Sequence, residues 1–388
     1  ALGMHPTAYG AVYAASKPFF EKHPTWAFYN SCQEPFVFID VFYIMNIAEG
    51  SPWRKHLFEE YQNAISMMGF SGIHMDTYGF PKTAYSHLDA IPKKIKLEDE
   101  LPTLIDETRE NVHGEEEPYL IFNNVGAWPV QRTADRKQDA VYIEVWPPYD
   151  RYASIAQLIR DARTYAKDDK SIILAAYLKP FREGKREKAL PAARLLMGSI
   201  VSNGATHLLT GENQTALTQG YYSDYTKFSD SEAEAIRRYY DYMIRYENLF
   251  FDPELQDVTM THTGWDNYEY QCTSHKVSSY GEAGKIWMIL REKDYRKCIY
   301  LLNLCGQSED YWNEGKEEPN IQKDIKFTVQ VDTPVEKICF STPDGKNMDA
   351  VELLFTERAT RTGKFIDFTV PSLNYWTTIW IDTRKETI

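Results

Sequence analysis

The sequence holds no apolar run approaching the roughly 18 residues that a membrane-spanning helix needs; the nearest candidate, residues 36–47, is too short and contains Asp40. It also lacks a cysteine framework. Cys32, Cys272, Cys298, Cys305 and Cys339 are odd in number and form no CxxC pair, so neither a disulfide scaffold nor a zinc site is expected. Basic charge is outweighed: 43 Lys and Arg against 56 Asp and Glu leave a net charge of −13, and no basic stripe exists. A phosphate backbone would be repelled, which excludes nucleic acid as a partner. There is no metal-ligand spacing of His and Cys, and no metal or organic cofactor is implied. No signal peptide precedes residues 1–13, which already read as folded-domain sequence, so the sequence is expected to start inside a longer precursor.

What is present is the composition of an ordinary globular protein, 43% hydrophobic and 26% charged. At 388 residues, one large domain and a smaller module are the natural expectation. Aromatic residues reach 14%, with 9 Trp and 27 Tyr, and rings with polar handles suit both cores and sugar faces. Composition does not choose between those uses.

To about residue 250, short apolar runs alternate with amphipathic helical stretches, the pattern of βα units around a parallel sheet. The runs are residues 8–15, 73–76, 119–123, 140–145, 172–177 and 206–209; helices are expected over 53–68, 154–165, 189–202 and 231–246. Residues 36–45 read equally as a seventh strand or as an ordered loop. Beyond about residue 255 the pattern becomes strands separated by turns, over 285–290, 298–304, 325–331, 335–340, 365–370 and 377–381. The fold class is therefore α/β: a (β/α)8 TIM-type barrel over 1–255 that is short of its full set of strands, followed by an antiparallel β-sandwich over 256–388. The acidic run Glu115-Glu116-Glu117 reads as a solvated loop before a strand.

In such a barrel the active site lies at the carboxyl ends of the strands, so polar residues that end an apolar run come first. Asp76 ends the run 73–76, within GFSGIHMDTYG, and Glu144 lies near the end of the run 140–145, within VYIEVWP. Burying an unpaired carboxylate is costly, so each is either structurally paired, as a helix cap or ion pair, or kept for chemistry. A glycosidase needs a nucleophile, an acid for the leaving oxygen, and aromatic or amide groups to grip the sugar. Asp76 and Glu144 with His74, Tyr78, Asn123, Asn124 and Trp146 supply all three. Lys179 reads either as a site residue or as a surface lysine, and Glu212 as a site hydrogen-bonder or a helix cap. His74 shares a strand face with Asp76 and lines the cleft; His207 reads as packing; Trp128 and Trp146 read as sugar-stacking rings or core.

The segment GFSGIHMDTYG, residues 69–79, and the segment YIEVWP, residues 142–147, resemble the nucleophile and acid/base segments of glycoside hydrolase family 66, the bacterial endodextranases and cycloisomaltooligosaccharide glucanotransferases. Supporting matches are PTWA at 24–27, SPWR at 51–54 and GATHLLTGE at 204–212. The resemblance implies a retaining hydrolase of α-1,6-glucan with Asp76 as nucleophile and Glu144 as acid/base. Its partner would be a neutral α-glucan. It also implies a secreted, cell-surface or periplasmic bacterial enzyme. By the same resemblance the sequence begins at the third barrel strand, and a missing amino-terminal segment of the same precursor is an expected partner. Family transferases carry a binding module after the seventh strand, and only residues 181–188 follow YLKP here, which favours a dextranase. The alternatives are a transglycosylase forming cyclic isomaltooligosaccharides and a non-catalytic glucan-binding protein.

Overall fold

In the computed structural model, which describes residues 3–167, 170–220, 226–264 and 266–384, five apolar runs form parallel strands. They are β1 (Thr7–Ala11), β2 (Gly72–Asp76), β3 (Tyr119–Val125), β4 (Ala140–Glu144) and β5 (Ser171–Ala175), hydrogen-bonded in that order. β4 and β5 are mostly apolar and buried, as strands covered on both faces require, whereas β1, at the end of that order, is only partly buried and leaves Tyr9 exposed. Gly72 is needed where β2 meets β3, because a Cβ there would lie 2.2 Å from the carbonyl oxygen of Tyr119. The register sets Tyr9 opposite His74, Ala11 opposite Asp76, Tyr142 opposite Asn123 and Glu144 opposite Val125. Side chains alternate along a strand, so Tyr9, His74, Asp76, Asn123, Tyr142 and Glu144 share one face.

The helices follow from local signals. Helix α1 (Pro52–Ser66) starts at Ser51, whose hydroxyl accepts from the Arg54 amide, with Pro52 in the first turn. The SPWR segment is thus a helix start. Arg54 is buried and reaches α2 (Leu97–Asn111), donating to the Glu100 carbonyl and to Thr103 and pairing with Glu107. Then come α3 (Tyr152–Tyr165), α4 (Ala189–Ser202) and α5 (Asp230–Arg245), the last opened by a capping box between Ser229 and Glu232.

The chain forms two compact units, Ala1–Trp146 with Asp161–Ala175, and Pro147–Arg160 with Ala176–Ile388. In the second lie β6 (Ile286–Lys293), β7 (Arg296–Asn303), β8 (Gln322–Val331), β9 (Val335–Ser341), β10 (Phe355–Thr360), β11 (Gly363–Leu373) and β12 (Trp376–Thr383). All pair antiparallel, β6-β7-β12-β9 in one sheet and β8-β11-β10 in another. Between these two sheets lies an apolar core that includes Met288, Leu301, Phe327, Ile366 and Ile379.

Three local expectations change. The run 8–15 is two strands, because the chain turns at Val12 and Tyr13 before a short strand Ala14–Ser16. Residues 36–45 are a hairpin of Val37–Phe38 and Phe42–Ile44, joined to Ala14–Ser16 and turned at Ile39 and Asp40, both at positive φ. The run 206–209 is a strand only at Thr206–His207.

Candidate active site

Asp76 and Glu144 end β2 and β4, and both are buried, at 7% and 6% exposure. Asn123 lies between them. Its Nδ2 donates to Asp76 Oδ1 at 2.7 Å and to Glu144 Oε2 at 3.3 Å. Both neighbours are acceptors, which fixes which end of the amide faces them. An amide nitrogen carries two hydrogens about 120° apart, so one nitrogen serving both oxygens sets them about 5 Å apart, and never beyond about 6 Å, the two bonds laid end to end.

The other oxygen of Asp76 accepts from the Tyr9 hydroxyl. Tyr9 was not among the sequence candidates. Its only sequence signal is a large polar ring in a strand of small residues, Thr7–Ala11. Tyr61, from α1, donates to the Gly10 carbonyl at 3.2 Å, and burial together with the charge of Asp76 raises its pKa. Thr77 closes the strand ends by donating to the Asn123 carbonyl at 2.9 Å.

His74 sits on the same face as Asp76, as expected, with its ring edge-on to Tyr142 at 4.6 Å and to Tyr9 at 6.0 Å. Its Nε2 is buried with no hydrogen-bond partner among the described residues. Burial lowers its pKa, partly opposed by the Asp76 charge, so the ring is held toward its neutral form.

Other candidates are placed differently. Asn124 points to the opposite face of β3, where Nδ2 donates to the Tyr142 carbonyl at 3.0 Å and Oδ1 accepts from Thr133 at 2.6 Å. That amide ties strands and a helix together, and the reading of Asn124 as a sugar ligand is corrected. The ring of Tyr78 packs on Phe38 at 3.6 Å and beside Tyr13 and Phe80. Trp146 follows Glu144 by two residues and is half-buried. Trp128 is capped by the Lys82 ammonium, 3.4 Å from its ring centroid.

Lys179 and Glu212 belong to the second unit. Lys179 opens a short 3-10 helix and pairs with Glu314 at 2.6 Å, while Glu212 is exposed in a turn closed by Thr215. His207 is fully buried, Nε2 3.0 Å from the Ala176 carbonyl, and burial pulls its pKa down to about 4, in keeping with a packing role. No group of acids, histidines and cysteines suited to a metal occurs among the described residues, and no helix of them is long and apolar enough to cross a membrane.

A model of glycosyl hydrolase family 66 matches residues 1–380. Two cycloisomaltooligosaccharide glucanotransferases of Niallia circulans are similar, one 28% identical over 193 residues and the other 26% over 191. Each match covers about half of this chain, 49% and 48%, and 19% of the relative. Among solved structures, a cycloisomaltooligosaccharide glucanotransferase of Paenibacillus sp. complexed with cycloisomaltoheptaose superposes with a TM-score of 0.85 at 17% identity, over 96% of this chain and 72% of that one. A maltogenic α-amylase of Thermotoga neapolitana gives 0.56 at 10% identity, over 99% of this chain and 79% of that one. At those identities the likeness is one of fold.

Proposed function

The chain belongs to glycosyl hydrolase family 66, and on that premise we propose that it opens α-1,6 bonds of a dextran-type glucan by retaining double displacement. Asp76 is the nucleophile and Glu144 the acid and base. The observation that carries this reading is the single amide nitrogen of Asn123 bonded to both carboxylates. It supports a separation of about 5 Å, short enough for direct attack, whereas an inverting pair leaves about 6.5–9.5 Å for a water.

In the first half-reaction an Asp76 oxygen bonds to the anomeric carbon while Glu144 gives its proton to the departing sugar oxygen. The product is a glucosyl ester and an ionised Glu144. In the second, Glu144 takes a proton from the acceptor hydroxyl, which displaces Asp76 from the sugar. Tyr78 and Trp146, just beyond the two acids, are the rings offered to the sugar. The parallel strands are read as part of a (β/α)8 barrel, with residues 1–255 carrying the reaction and 256–388 a non-catalytic β-sandwich. A polymeric glucan is met outside the cell, so a secreted or cell-surface bacterial enzyme is the consistent setting.

The acceptor separates two outcomes. The similar proteins of Niallia circulans are named as cycloisomaltooligosaccharide glucanotransferases, which favours transfer to a hydroxyl of the same chain. Favouring water is the short connection from β5 to α4, which holds only two 3-10 turns, Lys179–Phe181 and Arg186–Lys188. Digestion of dextran, with early NMR of the anomeric signal and mass analysis of products, tests both levels. An initial α signal is expected; an initial β signal rejects retention. Cyclic products, lighter than linear ones by one water, assign transfer, and purely linear products assign hydrolysis.

A further inference from the structure

Both hydrogens of the Asn123 amide are spent on the two acids, and its Oδ1 is buried with no hydrogen-bond partner among the described residues. Little is left for a sugar. The side chain is 4% exposed, and Thr77 Oγ1 holds the backbone at the same residue. We propose that Asn123 is a positioning residue that spaces the two carboxylates and shifts its donation from Asp76 to Glu144 as negative charge moves between them during the reaction. This rests on the assignment of Asp76 and Glu144 made above.

The argument is one of charge and reach. Hydrogen bonds to an ionised oxygen are shorter and stronger than those to a neutral one. In the resting pair the amide lies nearer the nucleophile, 2.7 Å against 3.3 Å. When Asp76 becomes an ester it loses its charge, and Glu144, having given up its proton, becomes the anion. The same nitrogen then gains more from Glu144. A neutral amide suits this better than Lys or Arg would, since a fixed cation would favour two carboxylates at once and resist protonation of the acid. The remaining groups near Asp76 cannot do the same. Tyr9 from β1 donates to its other oxygen, Tyr61 from α1 is bound to Gly10, and His74 on β2 is kept neutral by burial.

The test uses Asn123→Asp, which keeps the volume but removes both donors, and Asn123→Ala, each compared with the parent enzyme on dextran after circular dichroism confirms folding. For a positioning role kcat falls about 100-fold or more in both, KM changes less than about threefold, and the acidic limb of kcat/KM moves to higher pH because an ionised Asp76 has lost a donor. A tenfold or larger rise in KM with an unmoved pH profile identifies a sugar ligand and overturns the proposal; unchanged kinetics in both variants overturn it too. A structure of the parent trapped as its glycosyl ester with 5-fluoro-α-glucosyl fluoride gives a reading independent of variant folding. There Asn123 Nδ2 is expected closer to Glu144 than to Asp76, and an unchanged order overturns the shift. If Asp76→Ala keeps parental turnover, the carboxylate assignment and this inference fall together. If Asp76→Ala and Glu144→Gln are both crippled while the Asn123 variants are not, this inference alone fails.

Discussion

The hydroxyl of Tyr9 on β1 donates to Oδ2 of Asp76 on β2, so the proposed nucleophile is gripped at both oxygens, by Tyr9 on one side and Asn123 on the other. A carboxylate held in this way cannot rotate freely about its last bond, and its attacking lone pair is aimed before substrate arrives. Tyr9→Phe removes one donor and no volume of consequence. A hydrogen bond to a charged group contributes about 1.5–3 kcal/mol, so kcat on dextran should fall roughly 10- to 100-fold with folding intact. Steady-state kinetics check this, and an unchanged kcat removes Tyr9 from the site.

Glu144→Gln separates protonation from binding. The amide keeps the shape of the side chain but has no proton to give, so a dextran alkoxide leaves poorly while an activated aryl leaving group needs no acid. The loss should reach about 100-fold or more on dextran and stay small in the first step on an aryl α-isomaltoside. Equal losses on both substrates assign Glu144 to binding.

The acids were legible because each breaks an apolar run at a strand end, a purely local signal. Helices α1, α3, α4 and α5 were legible for the same reason: α4 carries apolar residues at helical spacing, and α5 opens on a capping box within four residues of sequence; α2, which starts without a side-chain cap, was not read. Tyr9 was not, since its contact with Asp76 depends on the register of β1 against β2, 67 positions away in sequence. The pair Asn123 and Asn124 shows the limit most directly. Both looked alike as polar neighbours of the site, yet strand alternation sends one to the acids and the other to Tyr142 and Thr133. Strand β10 escaped notice because it is an edge strand with five of its six residues exposed, leaving no period-two apolar pattern.

Arg54 should matter for stability rather than catalysis. Its guanidinium is buried, and from α1 it supplies the Glu100 carbonyl, Thr103 and Glu107 of α2. Arg54→Ala leaves those acceptors without their donor and opens a void, with an expected loss of roughly 2–4 kcal/mol. Arg54→Lys should recover only part of it, because a single ammonium cannot span the three acceptors. Thermal unfolding of the two variants checks both statements, and an Arg54→Ala transition within a degree of the parent rejects them.

His207 gives a pH dependence whose sign can be worked out. Burial lowers its pKa to about 4 in the fold, from an ordinary value of 6.5, while Nε2 stays 3.0 Å from the Ala176 carbonyl. The unfolded chain therefore binds a proton there more readily than the folded one. At pH above about 6.5 neither state is protonated and the neutral ring fits its site without cost. As pH falls from about 6.5 toward 4 the unfolded state gains a proton that the folded state refuses, so stability declines across that window and levels off below it. His74, also shifted down by burial, adds to the decline in the same direction. His207→Gln keeps a donor for Ala176 but has no ring to titrate. Its unfolding temperature should lie below the parent's at pH 7, through imperfect packing, and should fall less steeply between pH 6.5 and 4. Measured transitions in both proteins over that range decide the matter: parallel curves would mean that His207 titrates alike in the folded and unfolded chain.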